Sequence, residues 1–257
     1  MCYTVDMSLI ENHKDYIKSN ERLDDLELDG AYFIQNPDLY CFTSDAVLIA
    51  NVVKIKNNDL VCDFGTGSGI IATLIALKTN ARHVDGIEIQ SALADIAKRN
   101  VIINNLSDKV NIVEGDIKNI TDYFEREKYD VIVCNPPYKR TESGEKNLSE
   151  TIAVCRHEIK VTLKDIICSA SKILKFSGRL ALITKVERLA EIIYTMHEYN
   201  IEAKSVTLIK PKASKSPDTV IVEGVKGGKV GLILNELVVY NEDGSMTDTA
   251  KKLYNKA

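Results

Sequence analysis

The run Asn135-Pro136-Pro137-Tyr138 follows an apolar segment and has the residue types that hold a flat, nitrogen-bearing group. Each proline fixes its φ angle and contributes no N–H group, and the first proline also keeps Asn135 extended. The Asn135 side-chain oxygen and the Pro136 carbonyl then form two fixed acceptors beside the ring of Tyr138. Two such acceptors can orient the hydrogens of an exocyclic amine or amide and turn its lone pair toward a methyl donor. The motif therefore predicts methyl transfer to a planar nitrogen, against the alternative of a turn with a purely structural role.

A glycine-rich segment upstream has the form of a cofactor loop. Asp63 stands near the end of an apolar run, and Gly65, Gly67 and Gly69 follow at alternate positions. Glycine adopts positive φ angles and lets a ligand approach the backbone, although a tight structural turn has the same needs. A dinucleotide fingerprint requires its third glycine three residues after the second, where this chain has Ile70, so the spacing argues against NAD. A compact loop of this kind suits a cofactor without phosphates, and beside an amine site it predicts S-adenosylmethionine.

Two further acids stand where predicted strands end. Glu88 closes the second core strand, 21 residues after Gly67, and acids at this position accept hydrogen bonds from ribose hydroxyls in doubly wound nucleotide sites. Asp116 follows the third strand and can accept a hydrogen bond from an adenine amine. Each has a structural alternative, an exposed strand-end carboxylate for Glu88 and the N-cap of the next helix for Asp116. Together with Asp63, these acids at successive strand ends favour a nucleotide-like cofactor.

The alternation of apolar runs predicts the elements that carry these motifs. Strand-like and helix-like runs alternate, which is typical of a parallel sheet with helices on both faces. Core strands are predicted at 60–64, 83–89, 110–114, 129–134 and 179–184, and later strands at 204–210, 219–225 and 230–240. We therefore expect an α/β, doubly wound sheet that closes with a C-terminal antiparallel hairpin. Residues 1–55 are expected to form an extension packed on a main domain of residues 56–257.

Composition excludes several classes of protein. The 257 residues carry a formal net charge of −4 with 45% hydrophobic residues, as in ordinary globular proteins and unlike proteins that coat nucleic acid non-specifically. The first twenty residues are too polar for a signal peptide, and no apolar run is long enough to span a membrane. The six cysteines form no C-x-x-C pair and the four histidines lie far apart, so we expect reduced thiols and no metal site. The expected location is the cytoplasm.

On the glycine loop and the acids that follow it, the chain resembles the class I S-adenosylmethionine-dependent methyltransferases, whose sheet is Rossmann-like. The resemblance implies that 63–69 wraps the methionine part of the cofactor, that Glu88 holds the ribose, and that Asp116 contacts adenine. The run Phe42-Thr43-Ser44-Asp45 is similar to a family segment near the methionine end, which implies cofactor contacts from Thr43 and Asp45. Thr43 also suits the cap of the apolar helix that follows. The implied product is S-adenosylhomocysteine, and Asn135 is expected to face both cofactor and substrate.

The tetrapeptide at 135–138 looks like the amino-group methyltransferase signature, which implies adenine, cytosine, guanine or a glutamine amide as the acceptor. Further similarities at 21–26, 34–35, 42–46, 156–158 and 240–244 resemble a bacterial family of tRNA methyltransferases. Those enzymes act on the exocyclic amine of the adenine 3′ to the anticodon of a valine tRNA. This resemblance implies N6-methylation of adenine in RNA, with tRNA near the anticodon as the expected partner. A protein glutamine N-methyltransferase and an rRNA base N-methyltransferase are the alternatives.

The same resemblance implies RNA contacts from Arg156 and from Lys210, Lys212 and Lys215. Residues 201–230 carry six lysines against three acids, a local excess of +3. From charge alone, a solvated hairpin is the simpler explanation of these lysines. The alternative for Arg156 is a surface ion-pair cluster with its neighbours His157 and Glu158. The polar segment 139–160 is predicted as a loop over the site. The alternative that is not an enzyme is a protein that binds the cofactor and RNA without turnover. The intact 135–138 motif disfavours it.

Overall fold

A computed structural model describes residues 13–28, 30–136 and 161–254. Within them, strands form a small hairpin and one large sheet. The strands are β1 (Arg22–Asp25), β2 (Tyr32–Gln35), β3 (Leu60–Phe64), β4 (His83–Glu88), β5 (Val110–Glu114), β6 (Tyr129–Cys134), β7 (Leu174–Lys185), β8 (Ile201–Lys212), β9 (Thr219–Lys226) and β10 (Ile233–Tyr240). The α-helices are α1 (Ser44–Val52), α2 (Ile70–Lys78), α3 (Ser91–Ile103), α4 (Leu163–Ile173), α5 (Leu189–Glu198) and α6 (Asp248–Leu253), and short 3-10 helices lie at Lys14–Tyr16, Ile117–Asp122 and Val186–Arg188.

The large sheet has the order β10-β8-β9-β7-β6-β3-β4-β5, and β1 pairs with β2 outside it. Neighbouring strands from β5 to β7 are parallel, while β9 pairs antiparallel with both β7 and β8. The chain runs outward from β3 in both directions, so the strand order reverses between β3 and β6. In open α/β sheets, ligands bind outside the carboxyl ends of the strands at such a switch point. The expected doubly wound sheet is confirmed.

The C-terminal hairpin is confirmed and takes a particular place in the sheet. Strands β8 and β9 pair antiparallel, with β9 inserted between β7 and β8. The last strand, β10, then adds to the far side of β8 in parallel. A parallel partner needs a return connection along the strand, and β9 itself supplies it, so residues 227–232 have only to cross the amino-terminal end of β8.

Two apolar clusters cover the two faces of the sheet. Alternate side chains of β6 show the division, since Val131 and Val133 belong to one cluster and Ile132 and Cys134 to the other. The first cluster includes side chains of α1, α2 and α3, and the second includes those of α4 and α5. Strands buried on both faces read as continuous apolar runs, which is why the sequence located them well.

The predicted bounds of β7 differ most from those of the structure. Strand β7 begins at Leu174 rather than at 179, and α4 ends at Ile173. The pairing register with β6 shifts between Tyr129 and Val131, and Ser177 there has a φ of 63°. Ser177 and Gly178 therefore lie at an irregularity within a strand that is longer than predicted.

Candidate active site

The glycine loop after β3 has the backbone that its sequence predicts. Gly65, Gly67 and Gly69 have φ angles of 64°, 58° and 91°, all in the left-handed region that favours glycine. A Cβ atom at Gly69 would lie 3.1 Å from the Cβ of Ala97 on α3. At Gly65 it would meet no atom of the described residues within 4 Å. The loop is therefore packed tightly on α3 at its end and open at its start.

Glu88, at the end of β4, holds this loop. Its Oε2 accepts a hydrogen bond from the Gly67 N–H at 2.9 Å, and its Oε1 accepts one from the Gln90 N–H at 2.9 Å. The residue is 5% exposed, so the alternative of an exposed strand-end carboxylate is wrong. Burial raises the pKa of Glu88. Glu88 thus joins the glycine loop to the residue that precedes α3.

Asp63 lies beneath the loop and is completely buried. Its Oδ2 accepts a hydrogen bond from the Thr66 hydroxyl at 2.5 Å. Its Oδ1 has no hydrogen-bond partner among the described residues. Burial raises the pKa of Asp63 to about 7, and the nearby charge of Glu88 adds to this effect. Two carboxylates with raised pKa values thus support one loop, an arrangement that a bound cation would stabilise.

Asp116 follows β5 and caps a short 3-10 helix over Ile117–Asp122. Its side chain accepts a hydrogen bond from the Lys118 N–H at 2.9 Å, and the Lys118 ammonium lies 3.7 Å from the carboxylate. The capping alternative is therefore confirmed. The contact of Asp116 with adenine remains a prediction.

The pairing register brings the substrate motif beside the glycine loop. Phe64 of β3 pairs with Cys134 of the parallel strand β6. Gly65 follows Phe64 and Asn135 follows Cys134, so these two residues leave adjacent strands at the same level. Neighbouring strands lie about 4.8 Å apart. Asn135 is partly exposed at this edge, and Pro136 is buried. Tyr138 lies outside the described residues.

The segment before α1 forms another wall near the loop. The Tyr40 ring would lie 3.9 Å from a Cβ atom at Gly67. Phe42 donates its N–H to Oε1 of the buried Gln35 at 2.9 Å, which ties the segment to β2. Thr43 occupies the N-cap position of α1 without a capping bond from its side chain, and Asp45 stands in the first turn. The sequence did not single out Tyr40, because only folding places it over the loop.

The predicted RNA-binding lysines lie at the same edge of the sheet. Strand β8 pairs Ile209 with Thr219 of β9, and Thr219 pairs with Lys185 at the carboxyl end of β7. The carboxyl end of β8, with Lys210 and Lys212, therefore faces the same side as Asn135. Arg156 lies outside the described residues.

Acids from the C-terminal segment contact these lysines. The Lys210 ammonium lies 3.1 Å from Glu236, and that of Lys212 donates to the Glu242 carbonyl at 3.0 Å. Glu242 also accepts hydrogen bonds from the Ser214 N–H and hydroxyl. In the structure, acids from outside residues 201–230, such as Glu236, thus compensate part of the positive charge of this segment.

The fold, the switch point and the glycine loop define a Rossmann-like methyltransferase. The model of the methyltransferase small domain family matches residues 42–203, and the chain belongs to this family. A solved structure of a predicted O-methyltransferase, protein Atu636 from Agrobacterium tumefaciens, superposes with a TM-score of 0.68 at 22% identity, covering 82% of this chain and 96% of that one. A geranyl diphosphate methyltransferase solved in complex with SAM superposes with a TM-score of 0.54 at 14% identity, covering 71% of this chain and 84% of that one. These likenesses show the fold.

Two curated relatives carry the same name. The tRNA1(Val) (adenine(37)-N6)-methyltransferase of Porphyromonas gingivalis is 32% identical over 163 residues, which is 63% of this chain and 63% of the relative. The enzyme of the same name from Aeromonas hydrophila is 26% identical over 211 residues, 80% of this chain and 84% of the relative. The match to the first relative thus spans less than two thirds of its length. In the part of the chain that the structure describes, no helix has the length and apolar character of a membrane span.

Proposed function

We propose that this protein transfers a methyl group from S-adenosylmethionine to the exocyclic N6 of adenine in RNA, with tRNA near the anticodon as the substrate. One observation carries the proposal. The paired residues Phe64 and Cys134 place the glycine loop and Asn135 side by side at the switch point of the sheet. A cofactor loop and an amine-binding residue thus share one edge, as transfer between two bound molecules requires.

The residues present fit this cofactor. The backbone at Gly65 faces open space, so a ligand can approach it. Glu88, which contacts the loop at Gly67, accepts hydrogen bonds from the ribose hydroxyls, and Asp63 with Glu88 gives the loop a negative field that suits a cation. Asp116, Thr43 and Asp45 are the proposed further contacts. When bound, S-adenosylmethionine supplies an electrophilic methyl group on a positively charged sulfur.

The chain's own part in the reaction is to orient the amine. The Asn135 side-chain oxygen and the Pro136 carbonyl accept hydrogen bonds from the two amine hydrogens and turn the nitrogen lone pair toward the cofactor side. Tyr138 stacks on the base. No strong base is needed, because the nitrogen loses its proton after the methyl group has arrived. Positioning of this kind can supply roughly 7–11 kcal/mol of a barrier.

RNA is the proposed substrate because two lines of support agree. The curated relatives carry the name of a tRNA adenine-N6-methyltransferase. Lys210 and Lys212 lie at the carboxyl end of β8, at the edge that holds Asn135, and Lys215 follows that strand. We further propose a cytoplasmic location, where tRNA is found, and an N-terminal extension over residues 1–55 on a methyltransferase domain of 56–257. The ion pair between Arg99 and Glu21, at 2.7 Å, supports the packing of that extension.

Incubation with bulk tRNA that lacks its native modifications, followed by mass spectrometry of the nucleosides, tests the proposal. N6-methyladenosine should appear only when S-adenosylmethionine and the protein are both present. Parallel reactions with rRNA and with glutamine-containing peptides test the two alternatives. Methylation of a peptide glutamine, with unmodified tRNA in the same assay, would overturn the RNA assignment while keeping the cofactor.

A further inference from the structure

Asn100 lies where α3, the glycine loop and the N-terminal hairpin meet. Its side chain is completely buried, and its amide nitrogen donates to the carbonyls of Ser68 and Ile34, each at 3.0 Å. Its amide oxygen accepts a hydrogen bond from the Ile34 N–H at 2.6 Å. One side chain thus bonds to a carbonyl of the loop and to both backbone groups of Ile34 in β2.

Asn104, one helical turn later, makes the same pair of hydrogen bonds with the backbone of β2. Its amide oxygen accepts from the Tyr32 N–H at 3.1 Å, and its amide nitrogen donates to the Tyr32 carbonyl at 2.7 Å. Four residues of helix rise about 6 Å, and two residues of strand span about 6.6 Å, so both amides can pair with alternate residues of β2. The two asparagines therefore bind β2 as a neighbouring strand would. Of the two, Asn100 is the one with a bond to the loop.

The hairpin that Asn100 holds leads directly to the second wall of the candidate site. Gln35 follows Ile34 and accepts the N–H of Phe42, while the Tyr40 ring stands over Gly67. On the other side, the Ser68 carbonyl belongs to the loop itself. Because Asn100 bonds to both, its amide sets the separation between the Tyr40 wall and the glycine loop.

We infer that Asn100 is a positioning residue for the cofactor, acting through the Ser68 peptide and the hairpin without touching the ligand. This inference rests on the proposed function, since the pocket it adjusts is the one proposed for S-adenosylmethionine. Removing the amide should let the loop and the Tyr40 wall move apart, and the affinity for the cofactor should fall. Loss of hairpin bonds alone should not have this effect.

Asn104 provides the matched control. Asn100→Ala and Asn104→Ala each remove an amide pair with β2, but only the first removes the bond to the loop. Calorimetry with S-adenosylmethionine and S-adenosylhomocysteine, well below the melting temperature of each variant, should show at least tenfold weaker binding for Asn100→Ala. Binding to Asn104→Ala should stay within about twofold of wild type, although both variants melt at lower temperature. In turnover, Asn100→Ala should raise the KM for the cofactor and leave the KM for tRNA unchanged.

If Asn100→Ala does not fold, Asn100→Gln and Asn104→Gln repeat the comparison, because each keeps an amide displaced by one methylene. Equal losses of affinity at the two positions, or unchanged affinity at position 100, would overturn the inference and leave the proposed function standing. A folded wild-type protein that binds neither S-adenosylmethionine nor its product would overturn both.

Discussion

The carboxylate of Glu88 accepts a hydrogen bond from the backbone N–H of Gly67 at 2.9 Å, which joins the end of β4 to the loop after β3. The acid proposed to hold the ribose therefore also holds the loop that surrounds the rest of the cofactor. A change at Glu88 should weaken binding by two routes, through lost ligand bonds and through a less ordered loop.

Glu88→Ala should lower cofactor affinity by tenfold or more, since each lost hydrogen bond to a charged group is worth roughly 1.5–3 kcal/mol. Glu114 pairs with Glu88 in the register of β5 and is exposed, which makes Glu114→Ala a control. Calorimetry should show near-normal affinity for that control. Equal affinity in folded Glu88→Ala and wild type would remove Glu88 from the site.

The raised pKa of Asp63, about 7, predicts a pH dependence with a definite sign. The folded protein holds this proton more tightly than the unfolded chain, so the stability of the ligand-free protein should fall as pH rises from about 4 to 7. A cationic cofactor favours the ionised carboxylate, so its affinity should increase with pH up to about 7, by at most about tenfold per unit for one released proton.

Unfolding and calorimetric titrations between pH 5 and 8 measure both trends, and S-adenosylhomocysteine, which lacks the sulfonium charge, should respond less than S-adenosylmethionine. Asp63→Asn cannot ionise and should flatten both pH dependences. A wild-type affinity that does not change over this range would contradict the coupling.

Asn135→Ala should remove one of the two acceptors for the amine while preserving the cofactor pocket. Turnover on tRNA should fall by two orders of magnitude or more, on the order of 3 kcal/mol, as for loss of one preorganised polar group. Tyr138→Ala should lose base stacking worth roughly 1–3 kcal/mol, and Tyr138→Phe should keep most of it. Cofactor affinity, measured on the same preparations, serves as the control. Full activity of Asn135→Ala would show that the 135–138 motif is only a structural turn and does not orient the amine.

The position of the lysines in the sheet gives a test of RNA binding. Lys212 ends β8 at the edge that holds Asn135, and Lys215 follows it. Lys204 lies near the amino-terminal end of β8, and Lys229 lies in the turn after β9 at that opposite edge. Lys212→Glu with Lys215→Glu should raise the KM for tRNA and flatten its salt dependence. The same double change at Lys204 and Lys229 should do neither.

Lys210 is left intact in this experiment, because its ammonium pairs with Glu236 of the adjacent strand. A glutamate at position 210 would place a second carboxylate beside that of Glu236, and the two would repel each other. If the KM for tRNA depends on salt in the same way in the two double variants, the hairpin is a solvated surface without a role in RNA binding.

Two glycines of the loop should respond differently to the same substitution. Gly65→Ala and Gly69→Ala both impose a left-handed backbone on alanine, which costs about 1–2 kcal/mol. The added methyl group at position 69 also meets Ala97, while at position 65 it enters open space. Denaturant titration should show the larger loss of stability for Gly69→Ala. Calorimetry should show the larger loss of cofactor affinity for Gly65→Ala, although that variant loses less stability. A larger loss of affinity for Gly69→Ala than for Gly65→Ala would contradict the proposed pocket.

The sequence by itself determined the core strands and the residues at their ends. The bounds of β3, β5 and β6 match the predicted ranges, because strands buried on both faces are continuous apolar runs bounded by polar or glycine residues. The alternation of strands and helices also specified a doubly wound sheet, and parallel strands bring their carboxyl ends to one edge. The placement of Gly65, Glu88 and Asn135 at a common edge follows from those local patterns.

Only the tertiary structure decided which distant groups meet. Asn100 is separated by 66 residues from Ile34 and by 32 from Ser68, and no local signal in α3 marks a buried amide that pairs with a strand. The contact of Tyr40 with the loop and the pairing of Lys210 with Glu236 depend in the same way on how separate segments pack. Local sequence sets backbone conformation over a few residues, whereas hydrogen-bond partners of buried or surface side chains are fixed only when the whole chain has folded around them.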